Sequence, residues 1–329
     1  MLSNFSYVKP DSLAEAIRQL GTAGARVHAG GTDLLGCLRD HVFEASRVVS
    51  LSKLTALRGI AEAPGGGLRI GALTTLFEVS SSATVKERYG ALAQAAGAAA
   101  SPQLRNQGTI GGNLCQRPRC WYFRGEFHCA RKGGDTCYAM QGENQYHCIF
   151  GAGACVIVHP SDTAPALLAL GARVQIAGPG GDTRVVPLDK FFVLPDQDVT
   201  KETVLARGEI ITEIQVPAPP AGQRSLYRKV RGRGSWDFAL ASLAAALAMK
   251  GDAVESARLV LGGVAPVPWR IEAAEKLLAG KRFNEKTVAA AADAAVAGAQ
   301  PLEHNGYKVP LVRGIVTESL LALAAPAGR

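Results

Sequence analysis

Cysteines are the residues of this sequence with the clearest chemical potential. Six of the seven fall between Cys115 and Cys155, and the last five are spaced Cys120-x8-Cys129-x7-Cys137-x10-Cys148-x6-Cys155. An odd count does not favour a disulfide framework. The tight Cys-x2–4-Cys pair of zinc sites is absent, as is the Cys-x2-Cys spacing of ferredoxins. The spacing leaves two alternatives open, a four-thiolate site or a loop with several inert buried thiols.

Basic residues near the cysteines favour the four-thiolate site over the loop of inert thiols. They are interleaved with the cysteines, at Arg117, Arg119, Arg124, Arg131 and Lys132. Cationic neighbours favour thiolates and would offset the negative charge of a cluster. Residues 115–150 show no clean period of 2 or 3.6, and a long aperiodic stretch inside a compact protein is normally functional or disordered. The cysteines favour a functional segment.

Two glycine-paired loops form the second group with potential chemistry. The first is Ala29-Gly30-Gly31-Thr32-Asp33-Leu34 and the second is Thr109-Ile110-Gly111-Gly112-Asn113. Adjacent glycines let backbone N–H groups approach phosphate oxygens, and a helix N-terminus adds positive potential. The pair suits a pyrophosphate held from two sides, although a plain tight turn has a similar composition. Neither G-x-G-x-x-G nor G-x-x-x-x-G-K-[ST] occurs, which counts against a Rossmann site and a P-loop.

Two further candidates lie outside these groups. His159-Pro160-Ser161-Asp162 opens a predicted helix, where either Ser161 or Asp162 can serve as the helix cap and leave the other for a ligand. Lys229 lies in the basic stretch 227–235. That stretch is either a solvated strand and turn or the source of a cation near an anionic ligand.

The elements that must position these residues are predicted from periodicity and turn signals. The first loop lies between a strand at Arg26–Ala29 and a helix at Leu34–Arg39. Beyond the cysteines, a strand at Ala154–Val158 precedes a helix at Asp162–Leu170. The Ala-rich stretch Asp237–Met249 predicts a buried helix. The chain is predicted to be α+β, with boundaries near residues 55 and 217.

Composition bounds the class of protein. The chain has 329 residues, of which 47% are hydrophobic and 19% charged, so about two domains with packed cores are expected. Lys+Arg 36 against Asp+Glu 28 gives +8, which suits an anionic ligand or acidic partner and is too weak to imply nucleic acid. No run of 18 apolar residues and no signal-peptide pattern occurs, so we expect no membrane span and a cytoplasmic location.

The two glycine loops, in this order, resemble those of a known family. Ala29–Leu35 together with Arg105–Leu114 is similar to the FAD-binding medium subunit of the molybdenum hydroxylases, which include xanthine dehydrogenase and carbon monoxide dehydrogenase. The resemblance covers nearly the whole chain. It implies a two-part FAD-binding domain that is not of the Rossmann type, with an α/β part at 1–55 and a second part at 56–216. A C-terminal flavoprotein α/β domain would follow at 217–329.

The cysteine segment, 115–155, resembles an insertion that a subgroup of this family carries. In that subgroup, which includes the β subunit of 4-hydroxybenzoyl-CoA reductase and the FAD subunit of bacterial aldehyde oxidoreductases, the insertion holds a [4Fe-4S] cluster. The resemblance implies that the cluster ligands are Cys120, Cys129, Cys137 and Cys155. It leaves Cys148 as a spare thiol, and Cys115 is also left out. The choice of Cys155 over Cys148 follows the resemblance, and the apolar surroundings of Cys148 in Tyr146–Phe150, which disfavour a thiolate, agree with it.

The resemblance also assigns residues to FAD. By this resemblance, one loop would surround the pyrophosphate of FAD; its residues are Ala29, Gly30, Gly31, Thr32, Asp33, Leu34 and Leu35. The second wall is implied for Ser101, Thr109, Ile110, Gly111, Gly112 and Asn113. Asp162 would bond the ribose or adenine side of FAD, and Lys229 would lie near the flavin ring.

The implied function is that of an electron-transfer flavoprotein subunit without catalytic residues of its own. Its partners would be a molybdopterin-containing large subunit, a small subunit with two [2Fe-2S] clusters, and an external electron donor or acceptor. The substrate would be an aldehyde or an aromatic acyl-CoA. Export would require a partner subunit that carries the signal. The alternatives are a self-contained FAD oxidoreductase and a metal-stabilised nucleic-acid-binding module, which would be colourless.

Overall fold

A computed structural model describes residues 2–324, and its strands form three sheets from successive stretches of the chain. The strands are β1 Ser6–Val8, β2 Ala25–His28, β3 Arg47–Ser50, β4 Ile60–Glu62, β5 Leu68–Gly71, β6 Arg173–Ala177, β7 Thr183–Pro187, β8 Ile210–Val216, β9 Gln223–Val230, β10 Ala241–Lys250, β11 Ala253–Gly262 and β12 Trp269–Arg270. The helices are α1 Leu13–Leu20, α2 Leu34–Arg39, α3 Leu76–Ser81, α4 Ala83–Arg88, α5 Gly90–Ala98, α6 Pro102–Arg105, α7 Ile110–Leu114, α8 Trp121–Arg124, α9 Thr163–Ala169, α10 Glu272–Leu278, α11 Glu285–Val296 and α12 Lys308–Ala324.

The first sheet is parallel, in the order β1-β3-β2, and it positions the first glycine loop. Ser12 caps α1 by accepting a hydrogen bond from the backbone N of Glu15 at 3.2 Å. The buried face of α1 packs on Val49 of β3. Ligands of parallel sheets bind beyond the carboxyl ends of the strands, and the first glycine loop leaves β2 at that end.

The second sheet is antiparallel, in the order β4-β5-β8-β6-β7, and it supports the second glycine loop. Ile70, Val174 and Ile214 of this sheet share one core with Leu92 of α5 and Leu167 of α9. The backbone N of Gly111 donates to Ala72 O at 2.9 Å, just beyond β5. The start of α7 is therefore fixed to the rim of this sheet.

The third sheet has the order β12-β11-β10-β9, and it shows that the predicted helix at Asp237–Met249 is wrong. Ala244 and Ala246 of β10 belong to the core of the second sheet, whereas Leu243 and Leu247 belong to the core beneath α10, α11 and α12. A strand that is buried on both faces shows no polar alternation, so periodicity cannot distinguish it from a buried helix. The two cores here override the helix propensity of alanine.

The cysteine insert, residues 115–155, has little regular structure apart from α8 and two short 3-10 turns, Ala130–Lys132 and Tyr138–Met140. The predicted strand at Ala154–Val158 is wrong, because that segment pairs with loops instead of a neighbouring strand. Val156 O accepts a hydrogen bond from Cys148 N of the same insert at 3.0 Å. No helix within residues 2–324 is long and apolar enough to cross a membrane.

Candidate functional site

The two glycine loops are packed directly against each other. A Cβ atom on Gly30 would lie 1.9 Å from the carbonyl oxygen of Gln107, and one on Gly108 would lie 3.7 Å from Thr32 Oγ1. Gly31 has a φ of +73°, which residues with a side chain rarely adopt. The first loop thus requires glycine twice, once for close approach between loops and once for its backbone conformation.

The glycines of the second loop differ in what they face. A Cβ on Gly111 would lie 2.9 Å from Ala72 Cβ, so this glycine allows α7 to pack on the second sheet. A Cβ on Gly112 would meet Thr109 Oγ1 at 3.0 Å and no other described atom within 4 Å outside the backbone of α7. Thr109 caps α7, and Ser101 caps α6 in the same way. The backbone at Gly112 is therefore open to a ligand.

Asn113 joins the second loop to the start of α9. Its Oδ1 accepts hydrogen bonds from Ser161 Oγ and Thr163 Oγ1, both at 2.6 Å. Ser161 Oγ also accepts from Ala164 N at 3.0 Å, whereas Asp162 makes no capping hydrogen bond. The helix cap is therefore Ser161, which leaves Asp162 available for another contact.

Asp162 and Lys229 form an ion pair in the interior. Lys229 Nζ lies 2.8 Å from Asp162 Oδ2, and the side chains are only 3% and 7% exposed, respectively. Tyr227 also donates its hydroxyl hydrogen to Asp162 Oδ1 at 2.6 Å. Burial raises the pKa of Asp162, and the positive charge of Lys229 opposes this effect. Two residues that were predicted to contact different parts of FAD thus lie at one place.

The carboxylate of Asp33 faces the cysteine insert. It lies 2.9 Å from Arg119 Nη2 and 2.8 Å from Arg124 Nη2, and it accepts a hydrogen bond from Arg117 N at 2.8 Å. A carboxylate surrounded in this way attaches the insert to the first glycine loop. The backbone of that loop, and not this side chain, is the part available to a phosphate.

Glu202 is a second acid that holds the insert, and sequence analysis missed it. It pairs with Arg131 at 2.7 Å and with Arg117 at 3.0 Å, and the Arg131 side chain is only 1% exposed. Burial raises the pKa of Glu202, and both guanidinium groups oppose the shift. Arg131 lies 71 residues earlier in the chain, so no local pattern could have indicated this pairing.

Four cysteines of the insert surround one closed space of about 10 Å³. They are the four predicted ligands, Cys120, Cys129, Cys137 and Cys155. Cys148 does not line this space; it is fully buried beside Ala139 and Val156, and burial raises the pKa of its thiol to about 12. A hydrogen bond from the Cys137 thiol, together with nearby Arg131, lowers the pKa of Cys155. Within residues 2–324, no His, Cys, Asp or Glu group is arranged to hold a single metal ion.

His147 was also missed by sequence analysis, because a single histidine in an aperiodic segment has no informative spacing. Its Nε2 lies 3.2 Å from Cys120 Sγ. Burial and the charge of Lys308 lower the pKa of His147 to about 4, so the ring is neutral at pH 7. Cys120, His147 and Ile157 line both the space between the thiols and a neighbouring cavity.

This neighbouring cavity has a volume of about 490 Å³ and lies between the insert, the start of α9 and the loop 232–240. Trp121, Tyr146 and Phe238 supply aromatic surface, while Ser161 and Asp162 supply polar atoms. Its volume and mixed lining are typical of small-molecule and cofactor sites. The cavity adjoins the ion pair of Asp162 directly, and Ser161 connects it to the second glycine loop.

Comparison with known proteins agrees with this geometry. Residues 3–219 match the FAD binding domain in molybdopterin dehydrogenase, and residues 225–323 match the CO dehydrogenase flavoprotein C-terminal domain. The predicted fold class is therefore confirmed.

Two relatives and one solved structure match along nearly their whole length. The aldehyde oxidoreductase FAD-binding subunit PaoB of Escherichia coli is 37% identical over 98% of this chain and 99% of its own. The carbon monoxide dehydrogenase medium chain of Hydrogenophaga pseudoflava is 33% identical over 97% and 96%, respectively. A solved structure of carbon monoxide dehydrogenase from Hydrogenophaga pseudoflava superimposes with a TM-score of 0.77 at 31% identity, covering 98% of each chain. The chain belongs to the flavoprotein family of the molybdopterin dehydrogenases, and it is an FAD-binding oxidoreductase subunit.

Proposed function

We propose that this chain transfers electrons through FAD within a multi-subunit molybdenum hydroxylase. The observation that carries the proposal is the direct packing of two glycine loops, the second of which connects through Asn113 and Ser161 to a cavity of about 490 Å³. A molybdopterin-containing large subunit would convert the substrate, and a small subunit with two [2Fe-2S] clusters would relay electrons. FAD would exchange them with an external donor or acceptor. Relatives named for aldehyde and glyceraldehyde oxidation favour an aldehyde over an aromatic acyl-CoA.

The described residues can hold FAD if the open backbone groups bind it directly and the side chains that are already hydrogen-bonded support the loops. The backbones of Ala29–Leu35 and Thr109–Asn113 would hold the pyrophosphate, with Gly112 as the open position. Asp33 and Asn113 would act indirectly, because their side-chain oxygens are already engaged. The family resemblance assigned Asp162 to the ribose or adenine side of FAD, but its ion pair with Lys229 means that both residues would lie at one end of the cofactor. We propose that this is the flavin end, because aromatic side chains line the cavity that Asp162 adjoins. When bound, FAD supplies the one- and two-electron chemistry.

The Gly112→Asp variant tests the loop assignment. It places a carboxylate where the backbone must approach a phosphate, so we expect the purified protein to lose its flavin absorbance. Gly314→Asp is the matched control, since a Cβ there meets no described atom within 4 Å, and it should retain FAD. Full FAD content in Gly112→Asp would show that the loop is misassigned.

Subunit composition tests the complex. We expect the chain to co-purify from its native source with a molybdenum subunit and an iron–sulfur subunit. The chain alone should show no aldehyde oxidation, because it contains no proposed substrate site. Robust turnover by the single polypeptide would instead identify a self-contained FAD oxidoreductase.

We also propose that the insert holds one [4Fe-4S] cluster through Cys120, Cys129, Cys137 and Cys155. The support is the convergence of these four thiols on one closed space, with the guanidinium of Arg131 available to offset negative charge. Four cysteine thiolates are the usual ligands of a [4Fe-4S] cluster. A space of about 10 Å³ holds roughly one water. The thiols would therefore move apart on loading, which the short turns of the insert permit.

Single serine substitutions with iron analysis test the ligand set. Replacing any of the four proposed ligands should reduce the iron content and increase proteolysis within residues 115–150. Cys148→Ser is the matched control, a buried thiol outside the closed space, and it should retain about four irons per chain. Loss of iron in Cys148→Ser with retention in Cys155→Ser would reverse the assignment of those two residues.

A further inference from the structure

His147 separates the two proposed cofactor sites. The residues that line both the closed space and the larger cavity are Cys120, His147 and Ile157. Ile157 is apolar and Cys120 is a proposed ligand. Among the described residues, His147 is therefore the polar group in this shared wall that remains free to act on the cluster without binding iron.

The polar contact of the His147 ring is directed at sulfur. Nε2 lies 3.2 Å from Cys120 Sγ, and Nδ1 has no hydrogen-bond partner among the described side chains and backbone groups. A cysteine that binds iron is a thiolate and has no hydrogen to donate. With Cys120 in that state, the hydrogen of this contact has to come from Nε2, so the imidazole is the donor.

The C-terminal region fixes the backbone that carries this ring. Asn305 Nδ2 donates to His147 O at 3.1 Å and to Cys148 O at 3.0 Å, and Lys308 Nζ donates to Tyr146 O at 3.0 Å. Asn305 and Lys308 are both fully buried. Because these hydrogen bonds come from outside the insert, they hold the backbone of His147 without any contribution from the thiols.

We propose that His147 donates a hydrogen bond from Nε2 to the Sγ of the cluster ligand Cys120 and thereby raises the reduction potential of the cluster. The inference rests on the cluster proposed above. Reduction adds negative charge to the cluster, and an N–H group directed at a ligand sulfur stabilises that charge. Since the same ring lines the larger cavity, the effect acts on the side of the cluster that faces the proposed flavin. His147 is thus a positioning and tuning residue and not an iron ligand.

A redox titration of the full chain, loaded with FAD and iron and monitored by the EPR signal of the reduced cluster, tests this role. His147→Phe removes the donor and should shift the reduction equilibrium roughly tenfold toward the oxidised cluster, which lowers the potential by about 59 mV for one electron. His147→Gln keeps an N–H group on a side chain of similar reach and should retain the wild-type potential. His128→Phe is the matched control, because His128 lies in the same insert with an exposed ring, and its potential should not change.

The outcomes separate this inference from the cluster itself. A wild-type chain that binds no iron would overturn both. Full iron content in His147→Phe with an unchanged potential would overturn the role of His147 and leave the cluster in place. If His147→Phe fails to load iron, His147→Gln decides the question. A loaded Gln variant with wild-type potential supports the hydrogen bond, and one with a lowered potential contradicts it.

Discussion

The glycine loops and the cysteine insert are neighbours that are held in opposite ways. Backbone contacts hold the loops: Leu76 N donates to Gly108 O and Ile110 N donates to Thr74 O, both at 2.9 Å. The insert is attached to the first glycine loop and to Glu202 by side chains, through the ion pairs of Asp33 and Glu202, and among the described residues only its end near Ile149 has backbone hydrogen bonds to the C-terminal region. A site that binds its ligand with backbone groups needs the backbone itself in one conformation, so glycine is required at certain positions of its sequence. A site that binds its ligand with side-chain atoms needs only those atoms to come together, so the backbone between them can lack regular secondary structure.

Gly30→Ala should have the largest effect, because it acts on the backbone-held region. The added Cβ would lie 1.9 Å from Gln107 O, so the two loops must separate. We expect a loss of about 3 kcal/mol in the free energy of unfolding, together with loss of bound FAD. Gly36→Ala, at a helical position where a Cβ would meet only Arg124 Nη1 at 3.9 Å, should be neutral or stabilising. Denaturant titration and flavin absorbance measure both effects, and an unchanged FAD content in Gly30→Ala would mean that loop packing is not required.

Asp33→Asn should affect the insert more than the loop that contains it. The substitution leaves Arg119 and Arg124 without their counter-charge in a partly buried place, at a cost of about 2 kcal/mol. We expect faster proteolysis of the insert and a lower iron content, with FAD affinity nearly unchanged. Asp40→Asn breaks an ion pair whose Arg39 side chain is 71% exposed and should cost little. Loss of FAD with retention of iron would show that Asp33 contacts the cofactor directly.

The pH dependence of stability should report the attachment of the insert to the C-terminal region. Lys308 is fully buried, and burial lowers its pKa from 10.5 to about 7. Between these values the unfolded chain holds the proton and the folded chain does not. Stability relative to Lys308→Met should therefore rise with pH, by about 1.4 kcal/mol for each unit in this window.

Buried thiols such as Cys148, whose pKa burial raises from 9.0 to about 12, act in the opposite direction, mainly above pH 9. They are present in both proteins, so between pH 7 and pH 9 the difference between wild type and Lys308→Met reports chiefly the lysine. Lys250→Met, at an exposed position, serves as the control and should keep the wild-type slope. A flat difference between pH 7 and pH 9 would mean that Lys308 stays protonated in the folded chain.

The sequence was sufficient to predict those secondary-structure elements whose bounds are set by residues within or next to them. The helix α2 has the predicted bounds, Leu34–Arg39, because the glycine loop before it marks where it begins. The strand β10 was predicted as a helix, because its alanines and leucines carry no period and the two cores that enclose it come from distant parts of the chain. Local signals were therefore not sufficient for this strand.

The candidate site divides in the same way. The glycine loops were found because their function depends on residue type at adjacent positions. Glu202 and His147 were missed, because each acts on a partner that is brought near only by folding. The convergence of the four cysteines was implied by family resemblance and not by their spacing, since wide gaps place no limit on where side-chain tips meet. The structure therefore adds most to the sequence in showing that these four thiols lie around one space.

The strand β10 also limits how this family can be recombined. Two family models divide the chain between residues 219 and 225, which suggests interchangeable modules. Yet Ala244 and Ala246 lie in the same core as Leu92 and Leu167, on the other side of that division. A chimaera that joins halves from two relatives would therefore have to match side-chain volumes across this contact, because a larger residue than alanine would separate the halves. The two regions are separate in sequence, but they share one hydrophobic core and would not be expected to fold independently of each other.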